Sequence, residues 1–202
     1  MMGAATGRVY GVILAAGLSR RFGAEKLRQL LSGKPVFLWV LEAVCKSALA
    51  GAVVVCRQEL APDLPSDSKV RTIINPTPAA GQSESMRLGL AALPEQTTHV
   101  LFLLADQPLI TTALIDEYVD LANHGSTLAC FSSNDYLGPP ALFAKNWFDC
   151  LRGLTGDSGA KKILVQERNA LQRVSAQFQG QEKDLDYKDN LQPLEQLMQK
   201  YR

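Results

Sequence analysis

Three segments of the chain carry residue types that chemistry needs, at spacings that would let them work together. The first runs Leu14-Ala15-Ala16-Gly17-Leu18-Ser19-Arg20-Arg21-Phe22-Gly23-Ala24-Glu25-Lys26. Its small residues Ala15, Ala16 and Gly17 let a ligand approach the backbone closely, with amides free to meet phosphate oxygens. Arg20, Arg21, Lys26 and Arg28 add a local positive field. The second segment is Leu104-Ala105-Asp106-Gln107-Pro108, where a carboxylate closes a strongly apolar run. A hard cation such as Mg2+ is commonly held by one or two carboxylates together with substrate phosphates. The third, Lys183 to Asn190, gathers Asp184, Asp186 and Asp189 and offers a second metal ligand from far along the chain. Each segment also has a plain alternative: a glycine turn with a solvated basic edge, a turn or cap aspartate before Pro108, and an acidic turn capping the last helix.

Two polar, glycine-bearing segments complete the set. In Asn75 to Arg87, the groups of Gly81, Gln82, Ser83, Ser85 and Arg87 are suited to reading a base or ribose and touching phosphate. Gly156 to Lys162 carries Asp157 and Lys161, which would face a second substrate. Ser83 and Asp157 are equally ordinary helix caps.

Several chemistries are disfavoured. The first loop is neither GxxxxGK[ST] nor GxGxxG, so it describes neither a P-loop kinase nor an enzyme that binds a dinucleotide for hydride transfer. Cys45, Cys56, Cys130 and Cys150 form no CxxC pair, and reduced thiols in a cytoplasmic protein are expected. His99 and His124 belong to no nucleophile–base pattern. Lys+Arg number 21 against Asp+Glu 20, a net charge of +1, which gives no electrostatic case for nucleic acid or an anionic membrane as partner. No apolar run reaches the ~18 residues of a membrane helix. Met1 to Tyr10 has no apolar stretch of the kind an export signal needs.

The elements that must position these groups follow from hydrophobic period. Val9 to Ala15, Ala52 to Cys56, Val70 to Ile74 and Val100 to Ala105 are near-continuous apolar runs of the type buried on both faces of a parallel sheet, the last as the central strand. Pro35 to Ala50, Ser83 to Leu93 and Leu114 to Ala122 have helical spacing, with Pro35 suited to a first helical position. Strand and helix in alternation imply βαβ units and helices on both faces of the sheet. Further on, Thr127 to Phe131, Ala141 to Phe143 and Leu171 to Phe178 read as strands, and Lys145 to Leu154, Ser158 to Glu167 and Leu191 to Tyr201 as helices. A hydrophobic fraction of 47% over 202 residues supports a core without staples, and one domain spanning residues 1–202 is expected. Ligands of open α/β sheets bind beyond the carboxyl ends of strands, which is where the first two segments fall.

Taken together, L-A-A-G-x-S-x-R-x-G-x-x-K (Leu14 to Lys26), G-Q-S-x-S-x-R-x-G (Gly81 to Gly89), L-A-D-Q-P (Leu104 to Pro108) and G-D-x-G-A (Gly156 to Ala160) resemble a known family. It is that of the nucleotidyltransferases acting on the molybdenum cofactor, in the MobA-like NTP transferase superfamily, and most closely the molybdenum cofactor cytidylyltransferases. The resemblance implies a Rossmann-like three-layer α/β sandwich with a mostly parallel, mixed sheet, as in nucleotide-diphospho-sugar transferases. It implies transfer of CMP from CTP to the terminal phosphate of molybdopterin, with Mg2+ and release of pyrophosphate, and a molybdoenzyme as recipient of the product. By the same resemblance Gly17, Ser19, Arg21 and Lys26 match the triphosphate loop, Leu14 and Ala15 belong with them to the nucleotide-binding segment, and Ala16 matches a base-selecting position that is usually glycine in guanylyltransferase relatives. Asp106 matches the metal aspartate. Asp186 matches the second metal-side residue, with Asp184 the alternative, because DLDYKDN lacks the Thr-Pro pair of the usual pattern. Other readings compatible with the residues are a related transferase using GTP or another phosphorylated acceptor, and a catalytically silent cofactor-handling module.

Overall fold

The computed structural model describes residues 8–19, 21–23, 25–133 and 136–201. The opening seven residues, expected to hold no export signal, and Arg20 lie outside them. The chain begins with β1 (Val9–Ala15), makes a hairpin of β2 (Leu30–Leu31) and β3 (Lys34–Pro35), and enters α1 (Val36–Lys46). There follow β4 (Gly51–Cys56), β5 (Val70–Ile74), α2 (Gln82–Ala91), β6 (His99–Leu104) and α3 (Thr112–Asn123). The remainder is β7 (Leu128–Ser133), β8 (Tyr136–Ala144), α4 (Phe148–Arg152), α5 (Lys161–Gln166), β9 (Gln172–Ser175) and α6 (Leu191–Tyr201).

Seven strands form one sheet in the order β5-β4-β1-β6-β8-β7-β9. β5, β4, β1 and β6 run parallel, β8 is antiparallel to both its neighbours, and β9 is parallel to β7. The sheet is therefore mixed and mostly parallel, with β6 at its centre, as in a Rossmann-like α/β sandwich. All six residues of β4 are buried, because helices cover the sheet on both sides. On one face, Val40, Leu41 and Val44 of α1 and Leu114, Ile115 and Tyr118 of α3 pack against Ile13, Val54 and Leu103. On the other, Met86 and Leu90 of α2, Phe148 and Leu151 of α4 and Ile163 and Leu164 of α5 pack against Val12, Val55 and Phe102. Each such side chain contributes on the order of 1.5–3 kcal/mol by leaving water.

Several local expectations change. Pro35 sits in the hairpin and caps α1 instead of opening it. The run from Lys145 splits into a 3-10 turn (Lys145–Trp147) and the short α4. α5 starts at Lys161, since Gly156–Ser158 forms its own 3-10 turn and Gly159 has a positive φ. The strand expected at Ala141 to Phe143 is longer: Pro139 and Pro140 hide its first half. Those prolines fall at the shift of register between Cys130 and Phe131, and β6 pairs with β8 only from Ala141 onward, so no ladder amide is missed.

Candidate active site

β1 and β6 are adjacent and parallel, with Leu14 opposite Leu104, and the Ala105 amide donates to the Leu14 carbonyl at 3.1 Å. The loop after β1 and the turn after β6 are thereby placed side by side at the carboxyl edge of the sheet. Between them opens a cavity of about 340 Å3. It is lined by the β1 loop, by the segment before α2 together with Asp157, and by Asp106 and Asp186.

The β1 loop is held in an unusual shape. Ser19 adopts a left-handed φ of 50°, and its carbonyl accepts from the amides of Phe22 (3.1 Å) and Gly23 (3.2 Å). Ordinary side chains pay for that conformation, and such residues cluster at functional sites. The Ser19 hydroxyl is buried at the cavity and has no partner among the described residues. At Gly17, a Cβ would meet nothing within 4 Å. Packing among the described residues gives no reason for glycine there, and Gly17 lines the cavity.

Across the cavity the close approach of two loops does demand glycine. Gly81 has a φ of 98°, and a Cβ on it would lie 2.5 Å from the Gly156 carbonyl carbon and 2.7 Å from an Asp157 carboxylate oxygen. This contact brings Asp157 into the cavity lining beside Gln82.

At the cavity, Lys26 donates to Asp106 at 2.5 Å and to Asp186 at 3.0 Å, while Arg21 donates to the other oxygen of Asp186 at 3.1 Å. The Lys26 side chain is 12% exposed and that of Asp106 16%. Burial pulls the Lys26 ammonium down, but the charges and hydrogen bonds of Asp106 and Asp186 outweigh it and hold its pKa above the usual lysine value. Burial likewise raises Asp186, and the bonds from Lys26 and Arg21 reverse this, leaving its carboxyl below the usual range. Among the described residues Asp184 receives no hydrogen bond from Lys26 or Arg21, whose bonds hold Asp186 down. Burial first, then the charges of Asp106 and Asp186, push Asp184 up to about 6.

The acidic segment reaches this place by backbone stitching. The Leu185 amide donates to the Asp106 carbonyl at 3.0 Å, and Gln107 Nε2 donates to the Glu182 carbonyl at 3.1 Å. Leu185 itself is fully buried among Phe22, Leu109, Leu194 and Met198, under α6.

The structure thus brings Leu14, Ala15, Ala16, Gly17, Ser19, Arg21, Lys26, Gly81, Gln82, Ser85, Asp106, Asp157 and Asp186 to one cavity. Ser83, Arg87 and Lys161 are not among its lining residues. Ser83 is buried within α2, Arg87 is exposed and paired with Glu84 at 2.5 Å, and Lys161 is an exposed residue of α5. Arg28 binds Asp63 and the Glu59 carbonyl at the surface, clear of the cavity. His99 begins β6, at the sheet edge away from the cavity, with its ring against the Ser126 carbonyl (3.1 Å). Leu18, Phe22 and Pro78 also line the cavity without being singled out from the sequence, since an apolar wall residue has no motif of its own. Gln107 was legible only as part of the Asp106 turn; its role as a strut to Glu182 and Tyr136 is visible only in three dimensions.

A family model described as the MobA-like NTP transferase domain matches residues 11–174, a stretch that holds every cavity-lining residue named above except Asp186.

The chain belongs to the MobA-like NTP transferase family.

It is therefore a nucleotidyltransferase of the MobA-like type. Among curated relatives, the purine catabolism protein PucB of Bacillus subtilis is 29% identical over 190 residues, covering 87% of this chain and 90% of that protein. A probable molybdenum cofactor guanylyltransferase of Thermococcus sibiricus is 26% identical over 152 residues, 70% of this chain and 72% of that one. Among solved structures, Rv0371c of Mycobacterium tuberculosis superposes with a TM-score of 0.80 at 21% identity, over 94% of this chain and 98% of that one. This last likeness speaks for the MobA-like fold. No helix among the described residues is long and apolar enough to cross a membrane.

Proposed function

We propose that the chain, acting as one domain, transfers CMP from CTP to the terminal phosphate of molybdopterin, the organic part of molybdenum cofactor, and releases pyrophosphate. The observation that carries this reading is the meeting of Lys26 with Asp106 and Asp186 beside the open β1 loop, inside one cavity. A triphosphate laid on that loop would find backbone amides near Gly17 and the Ser19 hydroxyl. Arg21, whose side chain is 70% exposed and pairs with Asp186 through one guanidinium nitrogen, would fork onto the β and γ phosphates. Lys26 lies next to the carboxylates and would neutralise charge growing at the α-phosphorus as the acceptor phosphate attacks in line and pyrophosphate departs. Catalysis is then positioning and charge stabilisation. The attacking phosphate is already ionised near pH 7, so no general base is called for.

Asp106 and Asp186 fit a hard divalent cation such as Mg2+. Both carboxylates converge on a single cationic centre, now the Lys26 ammonium, and both offer only oxygen. They form a pair and not a closed cage: among the described residues no group of three or more side chains could hold a metal by itself. Substrate phosphates would complete the ligand set, and the cation would supply Lewis-acid polarisation there. A manganese complex of the Mycobacterium tuberculosis structural relative has been solved.

The nucleotide reading rests on Ala16, which lines the cavity and is 4% exposed, so that its methyl takes space a glycine would leave open. GTP is the second reading, favoured by the guanylyltransferase names of several relatives. Pyrophosphate release measured with molybdopterin-form cofactor and each of CTP, GTP, ATP and UTP tests both. Release with CTP alone is expected; release with GTP alone selects the second reading, and none with any nucleotide overturns both.

A further inference from the structure

Asn75 follows β5 directly, is 2% exposed and is not among the residues lining the cavity. Its backbone amide donates to the Cys56 carbonyl at 2.8 Å, which extends the β4–β5 ladder and fixes the residue in place. Its side chain is fixed at both ends. The Thr77 amide donates to Asn75 Oδ1 at 2.8 Å, and Asn75 Nδ2 donates to the Ser85 hydroxyl oxygen at 3.0 Å.

The first of these contacts settles the second. A backbone N–H can only donate, so the atom of Asn75 facing Thr77 is the oxygen, and the atom facing Ser85 is the amide nitrogen. That nitrogen can only donate. The Ser85 hydroxyl must therefore accept from Asn75, and its own proton is left for another acceptor. Ser85 is 5% exposed and lines the cavity beside Gly81 and Gln82.

We infer that Asn75 is a positioning residue that never touches the ligand: it polarises Ser85 into a hydrogen-bond donor aimed at the nucleotide base. The cavity then favours a base edge that presents a ring nitrogen or carbonyl oxygen, such as N3 or O2 of cytosine. This rests on the nucleotide reading of the cavity and adds to it the identity of the group that sets the polarity of the base contact. Asn75 acts through Ser85, so it is a positioning residue and not a catalytic one.

Replacing Asn75 by aspartate inverts the arrangement with little change of shape. The carboxylate still accepts from Thr77, but it would now accept from Ser85 too, drawing the hydroxyl proton away from the cavity. The test is titration calorimetry with CTP, GTP and inorganic tripolyphosphate on the wild type, Asn75→Asp, Ser85→Ala and the double variant. Asn75→Asp and Ser85→Ala should each weaken CTP by about tenfold, the value of one hydrogen bond. Tripolyphosphate has no base and should bind all four within twofold. The double variant should bind CTP no more weakly than Ser85→Ala alone. Equal loss of tripolyphosphate, additive losses in the double variant, or unchanged CTP affinity in Asn75→Asp would each overturn the inference. Should Asn75→Asp not fold, Asn75→Ala serves: its loss of CTP affinity must vanish in the Ser85→Ala background. A wild type that binds tripolyphosphate but ranks no nucleotide above another removes the nucleotide reading and this inference with it; a wild type that ranks them, with variants that keep both ranking and affinity, removes the inference alone.

Discussion

The amide of Leu185 donates to the carbonyl of Asp106 at 3.0 Å. One backbone hydrogen bond thus joins the turn after the central strand to a segment just ahead of the last helix. With Leu185 buried under α6, the next residue, Asp186, is held where Lys26 can bridge it to Asp106. Leu185→Ala should cost about 2–5 kcal/mol in stability, the range for a buried leucine. Because Asp186 loses its mounting, turnover measured by pyrophosphate release should fall as well, at temperatures where circular dichroism shows the variant still folded. A variant with normal turnover would separate the α6 packing from the site.

Removing either member of the Lys26–Asp106 pair should lower kcat by about 10²–10³-fold, the usual effect of losing one preorganised charge contact. Asp106→Asn keeps the shape and should leave the melting temperature within a few degrees, since the pair sits at a cavity and not in the core. Lys26→Ala should act mainly on kcat. An Asp106→Asn protein with near-normal turnover in Mg2+ would remove Asp106 from the metal role.

Asp184 and Asp186 should have opposite pH signatures in protein free of nucleotide and metal. For Asp184 the folded pKa of about 6 lies above the usual 3.8, so folding is favoured with the carboxyl protonated and that advantage is lost as pH rises from about 4 to 6. Asp184→Asn should therefore raise the melting temperature at pH 7 and make no difference below about pH 4. Two units are worth about 3 kcal/mol unscreened. Partial exposure reduces this to on the order of 1–2 kcal/mol, or several degrees in a chain of this size. Asp186 has a depressed pKa, so its contribution is present above 3.8 and fades as pH falls through the folded value. Asp186→Asn should lower the melting temperature slightly at pH 7 and not at pH 3. Thermal melts across pH 3–8 check both signs.

Gly17 and Gly81 should respond differently to alanine. A methyl at Gly17 meets no atom of the described residues, so Gly17→Ala should leave stability within about 0.5 kcal/mol while weakening tripolyphosphate binding by tenfold or more. At Gly81 the positive φ and the Gly156 backbone stand in the way, so Gly81→Ala should destabilise by about 1–3 kcal/mol or more. Melting curves paired with calorimetry distinguish the two; a destabilised Gly17→Ala would mean that the glycine serves the loop and not a ligand.

Ala16→Gly should loosen nucleotide choice. If its methyl closes the base site, the ratio of kcat/KM for CTP over GTP should fall by about tenfold, within what one methyl group can supply. An unchanged ratio would take Ala16 out of base selection.

Much of this protein was legible in its sequence. The apolar runs at Val9 to Ala15 and Val100 to Ala105 announce buried parallel strands because they are short, continuous and set between helical segments in alternation. The ends of such strands place Gly17 and Asp106 at a ligand edge before any coordinates exist. The order of the strands, the reversal of β8 and the proline-bearing half of that strand were not legible, since pairing depends on which surfaces bury together and not on local period. Nor were the partners of Lys26. The segment DLDYKDN does not by itself say which aspartate meets the lysine; the Leu185–Asp106 hydrogen bond and the burial of Leu185 set Asp186 against Lys26, while Asp184 is left half-buried with no hydrogen bond from that lysine. The polarity of Ser85 is of the same kind. Residue types and their order specify which groups are available, because propensity and hydrophobic period are local. Which of them touch is a property of long-range packing, and here it rests on a few backbone hydrogen bonds between segments far apart in the chain.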